Sequence, residues 1–565
     1  MNFARPAPAW LSRLLVALAA AAVFAATLGT RDFIRDDRLL IAENQLLRQG
    51  WKAAPQIMTT GYWEMILGRN APIQEYRPLL ALSYLLHFTT TGAAAWPMHA
   101  ANIALHCLVC VLLLEALRRR LGARAALAAA LLFAVMPIHA EAVCYITSRS
   151  ELLAAASVLA AWLLLEKQAS GPRLAWGTAI FCAGMLSKEH VVLFPAFLAL
   201  SDWAFHGRKP WERERRRTHL ILAACAAAYM ALRWSLLTHT MHGGVAYFHD
   251  RLVALLTFSR FALQRYLWPS VSGANLCADF SRPLLPDASP ASVGAWLALA
   301  AWTALAAAAA RAWLRRACWA FWILGPGLFL LPTCHLFFPL DSIGAERFLY
   351  LPSVGLAALL GMLFAWAASR WRTAARLTLA ALILWYARAS VERSRVWLSQ
   401  RSYYEAALRC NPVSANALSS LGAALLESGE TGRGETLLLQ AAALDPALAR
   451  PVYNLGRLAW QRADLNQAEA LLEKALRLDA TFTDARVLLA LCREKRKRLD
   501  DAAALLERAL ADVPWHAAAE FNLGRVEMLR GRPAAARAHF LRFAQLAPDD
   551  PDARQAMILA GSLRP

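Results

Sequence analysis

Eleven apolar stretches, at about 9–29, 97–117, 125–145, 151–166, 173–187, 190–206, 219–237, 292–310, 318–338, 349–369 and 374–390, crowd the first 390 residues, and none follows. No water-soluble core accommodates so many. In lipid, each backbone polar group must be satisfied within its own segment, so runs of this length are expected to be α-helical. A chain with 58% hydrophobic and only 18% charged residues agrees. The expected fold is therefore all-α, with a polytopic membrane domain over 1–394. The first run, Trp10 to Leu28, carries only Arg13 and is read as a retained span rather than a cleaved signal peptide.

Charge sets the expected topology. The net charge of +20 does not point to nucleic acid, because the Lys and Arg residues form neither one basic face nor a nucleic-acid motif. They gather between spans, around Arg118-Arg119-Arg120-Arg124, Lys167-Arg173, Arg208 to Arg217, Arg311-Arg315-Arg316 and Arg370-Arg372-Arg376, whereas the alternate loops are nearly bare. That asymmetry is the positive-inside pattern. A twelfth stretch, 252–269, contains Arg260 and Arg265 and ends in Trp268-Pro269, and is read as interfacial or re-entrant. Eleven crossings keep every basic cluster cytoplasmic, with a cytoplasmic N-terminus and the C-terminal part outside. The expected location is the inner (plasma) membrane. Cys107-x-x-Cys110 falls within an expected helix and reads as small apolar packing rather than a metal site or a disulfide.

Beyond about residue 395 the pattern changes to a repeat. Leu421-Gly422, Leu455-Gly456, Leu489-Ala490 and Leu523-Gly524 recur every 34 residues, with Gly434, Ala468, Ala502 and Ala536 in phase. Pro446, Pro514 and Pro548 keep the same period. This is the tetratricopeptide pattern of two stacked helices per unit, in four units plus a degenerate one at about 398–413, so 395–565 is expected to be an α-solenoid. Such stacks curve into a concave surface suited to peptides.

The remaining signal is polar. Asp36-Asp37 directly follow the first apolar run, where a carboxylate is placed to serve as a general base at the bilayer surface. Glu75-Tyr76-Arg77-Pro78, Pro137-Ile-His139-Ala-Glu141, Thr147-Ser-Arg149-Ser-Glu151, Ser187-Lys188-Glu189-His190 and Asp341 through Glu346-Arg347 to Tyr350-Leu-Pro352 all fall at the expected outer ends of spans. Inner loops carry simple Arg runs, while these mix acids, His, Tyr and Arg, as an acid–base site beside an anion site requires.

In order along the chain, Asp36-Asp37 with Asn44, Tyr76-Arg77-Pro78-Leu79, His99 and Asn102, His139-x-Glu141 with Arg149-x-Glu151, Ser187-Lys188-Glu189, and Glu346-Arg347 with Tyr350, followed by the repeats, resemble the transmembrane-and-tetratricopeptide O-mannosyltransferases of the GT-C superfamily. The Ala/Arg-rich composition is that of a bacterial member. The resemblance implies an inverting membrane glycosyltransferase. It would carry a sugar, mannose in the family, from a polyprenyl-phosphate donor to a Ser or Thr hydroxyl of a protein outside the cytoplasm. Asp36 matches the acid that acts as base, with Asp37 beside it. Asn44, Arg77, His139, Glu141, Arg149, Glu151, Lys188, Glu189, Glu346, Arg347 and Tyr350 match motifs that bind substrate, and Arg347, Arg77 or Lys188 is expected to contact the phosphate. Ser187 and His190 depart from the family pattern. The partners implied are the lipid-linked donor, an acceptor protein held by the repeat groove, and membrane lipid. No metal-ligand spacing is present, and a divalent cation bound from separate loops is left open. Two alternatives remain: a repeat-bearing membrane scaffold without catalysis, and a GT-C enzyme acting on a lipid or envelope glycan.

Overall fold

The computed structural model describes residues 8–67, 75–167, 171–237, 250–281, 284–335, 342–548 and 550–563. Asp341 lies outside them. Helices dominate, and no strand occurs among the described residues. The chain divides into two compact units, one comprising 1–37, 59–61 and 75–406, the other 38–58, 62–74 and 407–565.

In the first unit, seven helices are long and apolar enough to cross a membrane: Ala9–Gly29, Ala95–Leu121, Ile146–Leu165, Arg213–Leu236, Val293–Leu314, Ser353–Arg370 and Arg372–Leu398. An eighth crossing is counted if the pair Ala123–Val135 and Pro137–Cys144, bent by 51°, forms one span. The chain is a multi-pass membrane protein. The expected count of eleven is not reached on length, because the runs at 173–187 and 190–206 give helices of only 14 and 13 residues, Pro172–Met185 and Phe194–His206. The run at 318–338 gives the short helix Trp319–Thr333, against the ~20 residues a crossing needs. The stretch read as re-entrant is helical from Arg251 to Ser272.

Sequence explains the breaks. Gly122, at φ +79°, turns Ala95–Leu121 back into Ala123–Val135, and Pro137 interrupts the latter helix where it would otherwise continue. Gly355 packs so closely that a Cβ would lie 1.9 Å from the Trp322 carbonyl oxygen, and at Gly361 the Ala125 carbonyl oxygen would be 2.5 Å away. Small residues thus let Ser353–Arg370 meet two neighbours at backbone distance. Outward faces stay apolar: Leu297 is 65% exposed, Leu377 66% and Leu384 70%, a surface that lipid covers.

The second unit contains four helix pairs: Ala415–Glu427 with Thr431–Leu444, Ala449–Gln461 with Leu465–Leu478, Thr483–Lys495 with Leu499–Asp512, and Ala517–Leu529 with Pro533–Leu546. Helix Ala553–Ser562 follows, and the expected degenerate repeat is a single helix, Gln400–Cys410. The in-phase small residues are the points of closest approach. Ala468, Ala502 and Ala536 are fully buried, and a Cβ on Gly422 would sit 2.9 Å from the Gly434 carbonyl oxygen. The turns repeat as well: Gly429, Ala463, Lys497 and Gly531 all adopt positive φ, one per pair.

Candidate functional site

The site is built from chain that follows or precedes helix breaks. Asp36 and Asp37 follow the first span, and their carboxylates differ in what they do. Asp37 is 1% exposed and accepts N–H bonds from Ile146 (3.2 Å) and Thr147 (2.8 Å), where the helix Ile146–Leu165 begins. A carboxylate there satisfies orphan N–H groups. Burial pushes its pKa up to about 8, against those same hydrogen bonds, which act to lower it. Asp36 is half-buried, and its Oδ2 accepts the Tyr145 hydroxyl at 2.7 Å. Its backbone N–H donates to the same hydroxyl at 3.2 Å. Among the described residues Oδ1 has no hydrogen-bond partner.

Three charge pairs stand in the same unit. The Pro137 break brings Glu141 to the segment Glu346–Leu349, where Glu141 Oε2 accepts the Arg347 backbone N–H at 3.0 Å and Oε1 pairs with the Arg347 guanidinium. Lys188 pairs with Glu151. Arg77 bridges Glu75 at 2.8 Å and Glu189 at 3.0 Å. Burial acts to raise Glu189, but the charge and hydrogen bonds of Arg77 prevail and hold it at about 2. Burial pulls Lys188 below the ordinary lysine range, although Glu151 opposes the shift.

These pairs share one electrostatic neighbourhood. Lys188 lies in the fields of Arg77 and Arg347, Arg347 in those of Glu141 and Arg35, and Arg35 in that of Asp36. Asp36 is thus linked to Arg347 and Glu141 only through Arg35, and Lys188 with Glu151 lies in the fields of Arg77 and Arg347.

Other expected site residues have different work. Arg149 is 1% exposed and donates to Asn102 Oδ1 (2.8 Å), the Met98 carbonyl (3.0 Å) and Ser83 Oγ (3.1 Å), tying helix ends together. His139 and Tyr350 lie in a buried aromatic cluster, their rings 4.8 Å apart, with His139 bonded to Ser353 Oγ (2.8 Å) and Tyr350 to His106 (2.7 Å). Glu346 accepts from the Cys277 N–H (2.7 Å) and Arg393 (3.0 Å), and burial lifts it to about 7 despite Arg393. Asn44 belongs to the other unit, where it caps helix Gln45–Arg48 through Leu46 N–H at 2.9 Å.

Sequence reading missed Arg35, Tyr145, Trp397 and Tyr403. Tyr145 stacks on Trp397 with centroids 5.3 Å apart, Trp397 meets Tyr403 at 5.0 Å, and Arg35 lies over both tyrosine rings. Position beside Asp36 was the one signal for Arg35. Among the described residues no three His, Cys, Asp or Glu side chains form a metal-binding group. Cys107 and Cys110 are free thiols, and Cys277 and Cys410, which sequence reading did not single out, are disulfide-bonded.

Fold and site define a class: a multi-pass helical membrane protein with a carboxylate beside a network of cations, followed by tetratricopeptide repeats. The sequence profile of the Dolichyl-phosphate-mannose-protein mannosyltransferase family matches residues 77–234, and that of the Tetratricopeptide repeat matches 453–514 and 496–551. Protein O-mannosyl-transferase F38B6.6 of Caenorhabditis elegans is 25% identical over 424 residues, 74% of this chain and 60% of that protein. Protein O-mannosyl-transferase TMTC4 of Homo sapiens is 26% identical over 487 residues, 75% of this chain and 65% of that protein. The chain therefore spans less than two thirds of the length of these curated relatives. The crystal structure of YrrB, a TPR protein with an unusual peptide-binding site, aligns with 34% of this chain and 97% of its own at 19% identity and a TM-score of 0.24. The chain is O-mannosyltransferase-like in its membrane part and tetratricopeptide in its C-terminal part.

Proposed function

We propose that the chain transfers a sugar, mannose by its relatives, from a polyprenyl-phosphate donor to a Ser or Thr hydroxyl of a protein on the non-cytoplasmic side of the plasma membrane. The observation that carries this reading is Asp36. Tyr145 holds one carboxylate oxygen, the other has no partner among the described residues, and the Arg35 guanidinium lies in its field. A hydroxyl is a poor nucleophile until a base accepts its proton, and a departing phosphate needs positive charge.

In a single inverting displacement, the acceptor oxygen bonds to the anomeric carbon as its proton passes to Asp36. The bond from that carbon to the phosphate oxygen breaks, and its electron pair leaves with the lipid phosphate. Asp37 anchors the loop beneath Asp36 rather than exchanging protons with substrate. Disulfide bonding at Cys277 and Cys410 supports an oxidising, non-cytoplasmic location for those residues. The tetratricopeptide unit supplies a surface for the acceptor protein.

The test is glycoproteomic mass spectrometry of envelope proteins from cells carrying the wild type or Asp36→Asn. Hexose on Ser or Thr that vanishes with the variant supports the reading. Hexose that persists refutes it, and sugar found only on lipid would favour the glycan-directed alternative.

A further inference from the structure

Four cations near the site are each matched by a carboxylate: Arg77 by Glu75 and Glu189, Lys188 by Glu151, Arg347 by Glu141, and Arg393 by Glu346. Arg35 differs. It makes no ion pair among the described residues, and it is held instead by rings, its guanidinium 5.6 Å from the centroid of Tyr145 and 5.3 Å from that of Tyr403. Its NH1 donates to the Tyr403 hydroxyl at 2.8 Å, and that hydroxyl donates onward to the Ala278 carbonyl at 2.6 Å. Aromatic contacts and one phenol fix the guanidinium without neutralising it. The Nε and NH2 donors have no acceptor among the described residues.

The backbone adds a second observation. Arg35 sits at φ +54°, a left-handed conformation that is strained for a non-glycine residue. Strain of this kind persists where surrounding contacts over-determine it, and here those contacts aim a charged fork beside Asp36. A planar guanidinium with free donors matches two oxygens of a phosphate. The paired cations differ in charge balance, each having a carboxylate beside it that offsets its charge.

We propose that Arg35 is the anion receptor of this site and binds the phosphate of the lipid-linked donor. The assignment rests on the proposed transfer reaction and deepens it. As the bond to the anomeric carbon breaks, the charge that gathers on the phosphate is met by Arg35. Arg347 and Lys188, whose charges Glu141 and Glu151 already match, shape the surrounding field.

The test measures binding of a polyprenyl monophosphate, the corresponding uncharged polyprenol and inorganic phosphate to the purified full-length chain in nanodiscs. Wild type is expected to bind the polyprenyl monophosphate more tightly than either of the others. Arg35→Gln should weaken polyprenyl monophosphate binding by about 10- to 100-fold, the effect of losing charge-assisted hydrogen bonds, while polyprenol binding stays unchanged. Arg35→Lys, which keeps the charge without the fork, should fall between, and it carries the test if Arg35→Gln fails to fold. Wild-type affinity in Arg35→Gln would overturn the Arg35 assignment and leave the transfer reading standing. Absence of polyprenyl monophosphate binding in the wild type would overturn both. Inorganic phosphate binding as tightly as the lipid would overturn a lipid-linked ligand.

Discussion

Replacing Glu151 by Gln would strand the Lys188 ammonium where the two side chains are only 2% and 8% exposed. Removing one member of a buried ion pair costs about 3–5 kcal/mol, because the survivor remains desolvated without its counter-charge. Lys188→Met strands Glu151 in the same way. The double variant Glu151→Gln/Lys188→Met removes both charges, so it should be less destabilised than the two single effects summed, by about 1–3 kcal/mol. The assay is denaturant unfolding of the four proteins in one detergent, following the transition of the membrane unit by tryptophan fluorescence. A large coupling means that Lys188 is committed to Glu151, which is why the phosphate falls to Arg35. Additivity within about 0.5 kcal/mol would refute that reasoning and return Lys188 to the list of phosphate ligands.

Further outcomes follow from burial, backbone and charge. Burial raises Asp37 to about 8, far above the ordinary aspartate range, so the stability it contributes is complete below about pH 4 and is lost as pH rises through 8. Thermal unfolding of Asp37→Asn should therefore fall less than that of the wild type between about pH 6 and pH 9, and equal slopes would contradict this. Ala463 and Lys497 occupy the left-handed turn positions that Gly429 and Gly531 fill in the other repeats, so Ala463→Gly should stabilise the repeat unit by about 1 kcal/mol in a melting curve. Gly355→Ala, with its Cβ driven to 1.9 Å from the Trp322 oxygen, should destabilise the membrane unit by about 1–3 kcal/mol, read from the same unfolding assay. Cys318, an exposed free thiol beside the basic residues Arg315 and Arg316, should react with a membrane-impermeant maleimide only in inverted vesicles; labelling of intact cells would reverse the proposed topology.

The repeat unit was legible because close helix contacts demand small residues at one phase of a 34-residue period, and Gly434, Ala468, Ala502 and Ala536 record that demand directly. Crossings were less legible. Pro172–Met185 and Phe194–His206 are largely apolar but short, and composition alone does not reveal where Pro and Gly cut a run. Within the site, Glu141 and Arg347 were legible as polar positions at the ends of spans, whereas their pairing with each other was not. Nor was the division of labour. Whether a polar residue faces substrate or holds the scaffold depends on tertiary neighbours: Arg149 spends its donors on a helix end, Asn44 caps a helix, and His139 and Tyr350 pack in an aromatic core. Arg35 and Tyr145 escaped notice for the converse reason, since their importance arises from a left-handed backbone and from rings distant in sequence.

The central claim is that Asp36 is the base of a sugar transfer, and it is tested most directly with the purified chain, a polyprenyl-phosphate-linked mannose and a Ser/Thr-containing acceptor peptide, followed by mass spectrometry of the peptide. The wild type should add a hexose to the hydroxyl. Asp36→Asn should lose about 10²- to 10⁴-fold in rate while keeping its unfolding transition and its affinity for polyprenyl monophosphate. Transfer at the wild-type rate by Asp36→Asn would contradict the account.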